Sequence, residues 1–212
     1  MKILTTLFLS LGLLLVAAAP VRAAENDPNL PPHIVGKRAS EDVITALAKD
    51  PSIGKDKARA LAFIDEKILP YFDFQSMTRL AVGRAWRDAT PEQQARLTQE
   101  FRTLLVRTYA ASLDTLRGAE IDYRPVNVGP NDKRAVVKGL VKRPGMQPLT
   151  MEMAVERQAD GWRVIDLAIE NLSLVTNYRS EFGMIVQRDG INGLIKSLAE
   201  RNAPRENSTA AK

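Results

Sequence analysis

The sequence predicts an α+β domain in which a four-stranded antiparallel meander lies between helices that precede and follow it and pack on one of its faces. Two observations carry this. Apolar residues recur at helical spacing as far as Gly118, alternate with polar ones through about residue 169, and then return to helical spacing. The alternating segments are separated by Gly129-Pro130-Asn131-Asp132, Pro144-Gly145 and Asp160-Gly161, turns too short for neighbouring strands to run any way but antiparallel.

In chain order, Ser40 is a candidate cap for a first helix showing Val43, Ile44 and Leu47. A second helix, 56–69, shows Ala58, Leu61, Ile64 and Ile68 and stops at Pro70. Asp73 caps a short third with Phe74, Met77 and Leu80, ended by Gly83. The strongest local signal is Thr90-Pro91-Glu92-Gln93: the Thr hydroxyl can accept from the Gln93 amide, Gln93 can reach back, and Pro occupies the first helical position. The helix that begins there keeps its apolar face through Leu97, Phe101, Leu104, Leu105, Tyr109, Leu113 and Leu116. Over 91–117 it would be about 40 Å long.

Strands are predicted at 120–128, 133–143, 149–158 and 162–169. The third places Leu149, Met151, Met153 and Val155 on one face, and the fourth places Ile165, Leu167 and Ile169 together. For both rows to face one way, Val155 must oppose Ile165 and Met153 must oppose Leu167, which requires an odd-numbered loop with Gly161 as its permissive residue. Ser173 then caps a helix with Leu174, Val175, Tyr178, Phe182 and Ile185 inward; Gly190 breaks it, and Ile191, Leu194, Ile195 and Leu198 form the last. This order suits a cystatin-like or nuclear-transport-factor-like (NTF2-like) fold, whose layers enclose an apolar pocket.

Lys2, the apolar run 3–16, the small residues 17–19 and Val21-Arg22-Ala23 read as an export signal cleaved after residue 23. Residues 24–36, with Pro28, Pro31, Pro32 and Gly36, read as a flexible leader, 37–202 as one domain, and 203–212 as a disordered tail. Cleavage removes two cations and no acid, taking the formal charge from +5 to +3. That is too little, and too dispersed, for a nucleic-acid binder. An exported chain with no cysteine is stabilised by its core rather than by disulfides.

Catalytic signatures are sparse. Without cysteine, and with His33 as the sole histidine and in the leader, neither a nucleophile–His pair nor a His-based zinc site assembles in the core. No Gly-rich phosphate loop occurs. Asp166, inside an apolar strand, could transfer protons beside Tyr109 or Tyr123; the plainer reading has it pointing away from the apolar face, onto an Arg or a backbone amide. The apolar rows have a plain reading too, since Met and Leu at such spacing usually fill a core. Met151 and Met153 tilt the balance toward a ligand, because flexible thioethers accommodate varied shapes.

Leu69-Pro70-Tyr71, Gly83 with Trp86, Ala89-Thr90-Pro91-Glu92-Gln93, Phe101, Tyr109, Trp162-Arg163-Val164-Ile165-Asp166 and Tyr178-Arg179-Ser180-Glu181-Phe182 occur in an order and spacing that resembles the MlaC-type proteins of the toluene-tolerance family, over about 40–201. After the fourth strand that family typically has Glu-Gly, then an apolar residue and Ser; here the chain reads Glu170-Asn171-Leu172-Ser173. Asn tolerates a left-handed backbone nearly as Gly does.

The resemblance implies a periplasmic phospholipid-binding shuttle of the Mla pathway, which maintains outer-membrane lipid asymmetry. Its partners would be an outer-membrane lipoprotein bound to a porin and an inner-membrane ABC transporter with a ring-forming lipid-binding subunit. It would act as a monomer, touch membrane complexes transiently, bind no nucleic acid, need no cofactor and do no bond chemistry. By parity and periodicity, the acyl tails are assigned to Leu105, Tyr109, Leu113, Met151, Met153, Val155, Leu167, Ile169, Leu172 and Val175. The alternatives are a small exported NTF2-like enzyme acting on an apolar substrate through Asp166 and a tyrosine, and a structural adaptor with a filled core.

Overall fold

The computed structural model describes residues 29–203. The expected export signal and cleavage site, the first part of the expected leader and nearly all of the expected tail lie outside these residues. Helix α1 (Pro32–Lys49) begins inside the expected leader, with Pro32 at its first position, and buries Val35, Val43 and Leu47. Ser40 is not its cap; it lies mid-helix and its hydroxyl donates to the Lys37 carbonyl at 2.9 Å.

Helix α2 (Lys57–Phe63) is capped by Asp56, which accepts from the Arg59 amide at 2.8 Å. The expected single helix over 56–69 instead continues as a wide π-turn (Ile64–Ile68) and a tight 3-10 turn (Leu69–Tyr71) around Pro70. Helix α3 (Phe74–Val82) is capped by Asp73 and ends at Gly83, whose φ of 69° suits glycine.

The capping box of α4 (Pro91–Tyr109) forms with both bonds, Gln93 N–H to Thr90 Oγ1 at 3.3 Å and Thr90 N–H to Gln93 Oε1 at 2.9 Å. The α-helix is about 28 Å long rather than 40 Å, because from Ala110 to Leu116 the chain winds as a 3-10 helix. Three residues per turn in place of 3.6 carries Leu113 off the stripe held by Leu97, Phe101 and Leu105.

The sheet has five strands, one more than expected, in the order β1 (Glu120–Tyr123), β2 (Arg134–Lys142), β3 (Leu149–Gln158), β4 (Gly161–Ile169) and β5 (Leu172–Ser173), every neighbour antiparallel. The fifth exists because Glu170 and Asn171 take φ of 49° and 66°, the doubly left-handed turn that folds β5 straight back onto β4.

The β3–β4 register meets the parity requirement by a different device. Gln158 pairs with Gly161, leaving an even loop of two residues, and Met153 does oppose Leu167; between them a β-bulge leaves Ile165 in excess, so Val155 opposes Val164 rather than Ile165. One extra residue flips the parity of a strand, as an odd loop would have done.

Helix α5 (Leu174–Asn202) is capped by Ser173 and kinks at Gly190 (φ 71°, ψ −175°), where the sequence predicts the break. Its far end is tied to α4: the Asn202 side-chain amide donates to the carbonyl and, at 2.7 Å, to the carboxylate of the buried Glu100, which also pairs with Arg96 at 2.7 Å. No helix among the described residues is long and apolar enough to cross a membrane.

Candidate functional site

Buried apolar side chains form three clusters rather than one. The first joins α3, α4 and α5; in it Leu97, Phe101, Phe182 and Leu194 have no exposed surface, and Phe101 meets Tyr178 and Phe182 edge to face, each at 5.2 Å. This is a filled core. The second lies under α1, where Val43, Leu47, Ile53, Ala60 and Ile64 enclose Leu113. The third is the inner face of the sheet, built by Val137 and Val141 of β2, Met151, Met153 and Val155 of β3, and Trp162 and Val164 of β4. Phe72 borders the first and third clusters, and Leu116 borders the second and third.

The sheet cluster is sealed at one end and, along β3 and β4, only partly covered at the other. At the closed end Val155, Trp162 and Val164 are 4%, 2% and 7% exposed. There Trp162 Nε1–H donates to the Leu30 carbonyl at 3.1 Å, the Arg157 guanidinium lies 4.6 Å over its ring, and His33 Nδ1 accepts from the Val126 amide at 3.1 Å. Further along the same strands Met151 and Met153 are buried, and the last apolar positions, Leu149, Leu167 and Ile169, are only partly covered. Along β3 and β4 this face passes from sealed to half-covered, with Phe72, Leu116 and Ile44 packed against it, and that half-covered strip is the candidate groove for an apolar chain.

Helix α1 covers this face at close range. A Cβ built on Gly36 would stand 3.1 Å from Met153 Cε and 3.4 Å from the Tyr123 ring, so the absence of a side chain at this position lets the helix lie close to the sheet. Burial pushes the Tyr123 phenol above its ordinary value; its hydrogen bond with Ser40 opposes this and Glu41 adds to it. The outer face of the sheet is solvated and ion-paired, Arg134 with Glu156 at 2.7 Å and Lys138 with Glu152 at 2.6 Å, each pair in direct cross-strand register.

The ten residues assigned from sequence separate among these environments. Met151, Met153, Val155, Leu167 and Ile169 come together on the inner sheet face. Leu105 and Val175 belong to the filled helical core, and Leu113 to the cluster under α1. Tyr109 and Leu172 are exposed, by 42% and 75%. The structure adds Val35, Gly36, Ile44, Phe72, Leu116 and Val164. Of these, α1 had a readable signal in Pro32 at a helix start, hidden by the proline-rich look of the segment; Leu116 stood on the expected apolar stripe of the long helix but ends the segment that winds as a 3-10 helix, and Phe72, between the turn at Pro70 and α3, had no periodic signal.

Asp166 lies away from this groove. Its carboxylate accepts from the Ser173 hydroxyl at 2.5 Å and from the Val175 amide at 3.1 Å, so it ties β4 to the start of α5. Neither Tyr109 nor Tyr123 is among these partners.

A family model described as MlaC protein matches residues 37–200. Among solved structures, the chain is similar to a phospholipid-binding protein from Ralstonia solanacearum in complex with a phospholipid, at 34% identity and a TM-score of 0.76, over 82% of this chain and 97% of that one.

Proposed function

The chain belongs to the MlaC family, and from that membership we propose that it is a periplasmic phospholipid carrier that holds the acyl tails on the inner face of its sheet and leaves the headgroup at the open end. The observation that carries the reading is the graded apolar face from Trp162 to Ile169, sealed at one end and half-covered at the other. The similar Ralstonia protein was solved with a phospholipid bound.

The energetics suit a carrier. Two tails of ~30 methylenes in all, at ~0.8 kcal/mol each, cost on the order of 20 kcal/mol or more when exposed to water. Transfer between two apolar environments is by contrast nearly neutral, so such a protein accepts and releases lipid without a deep trap. Direction then comes from partners: an outer-membrane lipoprotein–porin complex and an inner-membrane ABC transporter with its lipid-binding ring, between which the carrier maintains outer-membrane asymmetry. The protein itself makes and breaks no covalent bond. Its one carboxylate within an apolar strand, Asp166, is engaged by Ser173 and Val175.

The test is native mass spectrometry of the mature protein purified without detergent, followed by solvent extraction. A stoichiometric mass excess identified as phospholipid is the expected result; a bare polypeptide mass in repeated preparations would overturn the reading.

A further inference from the structure

Strand β2 alternates strictly: Val137, Gly139 and Val141 are buried on the inner face, while Lys138 and Lys142 point outward and pair with Glu152 and Asp122. Arg143, the first residue past the strand, has the parity of this inward row. It lies two residues beyond Val141, which pairs with the half-covered Leu149, and so stands at that end of the sheet. Arg143 is partly buried, and its Nε–H is fully buried without an acceptor among the described residues. Proteins rarely leave a buried guanidinium N–H unused.

A second such N–H belongs to Arg117, on a neighbouring segment of the chain. Across the β1–β2 pair Glu120 opposes Lys142, and a Cβ built on Gly118 would be 3.4 Å from Pro144, so the segment 117–119 runs beside 143–145. Arg117 is held by Asp114 through Nε and Nη2, at 3.2 and 3.0 Å, while its Nη1 is buried and without an acceptor among the described residues. Two arginines, each with a buried donor that has no acceptor among the described residues, thus stand on adjacent segments near the half-covered end of the sheet. An amphiphile whose tails occupy that face brings its charged group there, and guanidinium N–H pairs match the oxygens of a phosphodiester.

We propose that Arg143, seconded by Arg117, is a headgroup subsite that donates to the phosphodiester oxygens of the bound lipid, an assignment that rests on the carrier reading. The mature protein, stripped of lipid, is offered equal amounts of phosphatidylglycerol and diacylglycerol with the same tails, and the ratio of the two complexes is read by native mass spectrometry. The wild type favours the phospholipid. Arg143→Gln reduces that ratio about 10-fold, the value of one charge-assisted bond, and Arg117→Gln reduces it less. Arg143→Met keeps the unbranched stem and gives the same readout should the Gln variant fail to fold.

A ratio unchanged in Arg143→Gln or Arg143→Met, or no preference in the wild type, overturns the subsite and leaves the carrier reading intact. A wild type that takes up neither lipid instead overturns the carrier reading. If inorganic phosphate binds the stripped protein by phosphorus NMR and lipid loading does not release it, the occupant is free phosphate and the headgroup assignment falls.

Discussion

The Asp166 carboxylate and the Ser173 hydroxyl lie 2.5 Å apart, and the same Ser173 oxygen accepts the Thr176 amide at the first turn of α5. A single relay therefore joins the last long strand to the longest helix. Asp166→Ala leaves the Val175 amide and the Ser173 hydroxyl without their acceptor and is expected to cost about 1–3 kcal/mol. In a domain of this size that corresponds to a fall in Tm of roughly 3–10 °C. Thermal unfolding checks it, and an unchanged Tm would remove the relay from the account of stability.

Contact between α1 and the sheet sets the room above Met153. Gly36→Ala gains helix propensity of about 1 kcal/mol but presses on a flexible methionine end at 3.1 Å, so stability is expected to change by less than about 1 kcal/mol. Gly36→Leu cannot be accommodated that way. It should lift α1 from the sheet and lower lipid occupancy, measured as lipid phosphorus per mole of protein.

Filled core and groove predict opposite signatures. Phe101→Ala empties a fully buried site and is expected to cost about 3–5 kcal/mol. Leu167→Glu places a charge on the half-covered groove, and its main expected effect is loss of bound lipid. Leu172→Glu, at a position 75% exposed, should shift stability by no more than about 0.5 kcal/mol and leave lipid content unchanged. Parallel denaturant unfolding and lipid quantification separate the three, and a Leu167→Glu protein with full lipid content would move the tails elsewhere.

The β4–β5 turn predicts a backbone effect. Asn171 holds φ at 66°, so Asn171→Gly should be neutral or slightly stabilising, whereas Asn171→Val should cost about 1–3 kcal/mol through left-handed strain. Thermal unfolding of both variants decides this.

The neighbouring Glu170 predicts a pH response. Its exposed carboxylate accepts from the Thr150 amide, and next in weight from the Thr150 hydroxyl, which holds it below its ordinary value of 4.5. A depressed folded value means that the unfolded chain binds more protons as pH falls, so the stabilisation is complete above about 4.5 and is lost as pH drops through the folded value. The difference in Tm between wild type and Glu170→Gln should therefore shrink on acidification, and a difference constant from pH 7 to pH 3 would refute the link.

Much of this molecule is legible in local chemistry. The caps at Asp73, Thr90 and Ser173, the stops at Gly83 and Gly190, the face of β3 and the Leu167–Ile169 part of the β4 face follow from hydrogen-bonding capacity and side-chain period, which act over a few residues; Ile165 leaves that face because of the bulge. The start of α1 was missed although Pro32 signalled it, because a proline-rich stretch reads as a leader when the sheet it covers is out of view. The odd β3–β4 loop was a sound inference from parity, met instead by a bulge at Ile165.

The sequence by itself determined the element order, the antiparallel meander and the one-sided apolar sheet, because these depend on period and turn chemistry. Tertiary structure alone decided which apolar rows fill a core and which line the groove. Leu105, Leu113 and Met153 carry the same local signal of burial, and it says nothing of what lies opposite. The 3-10 winding after Ala110 sent Leu113 under α1, close packing with Phe182 and Leu194 claimed Leu105 for the filled core, and the close approach permitted by Gly36 placed Met153 beneath a helix at the edge of a groove.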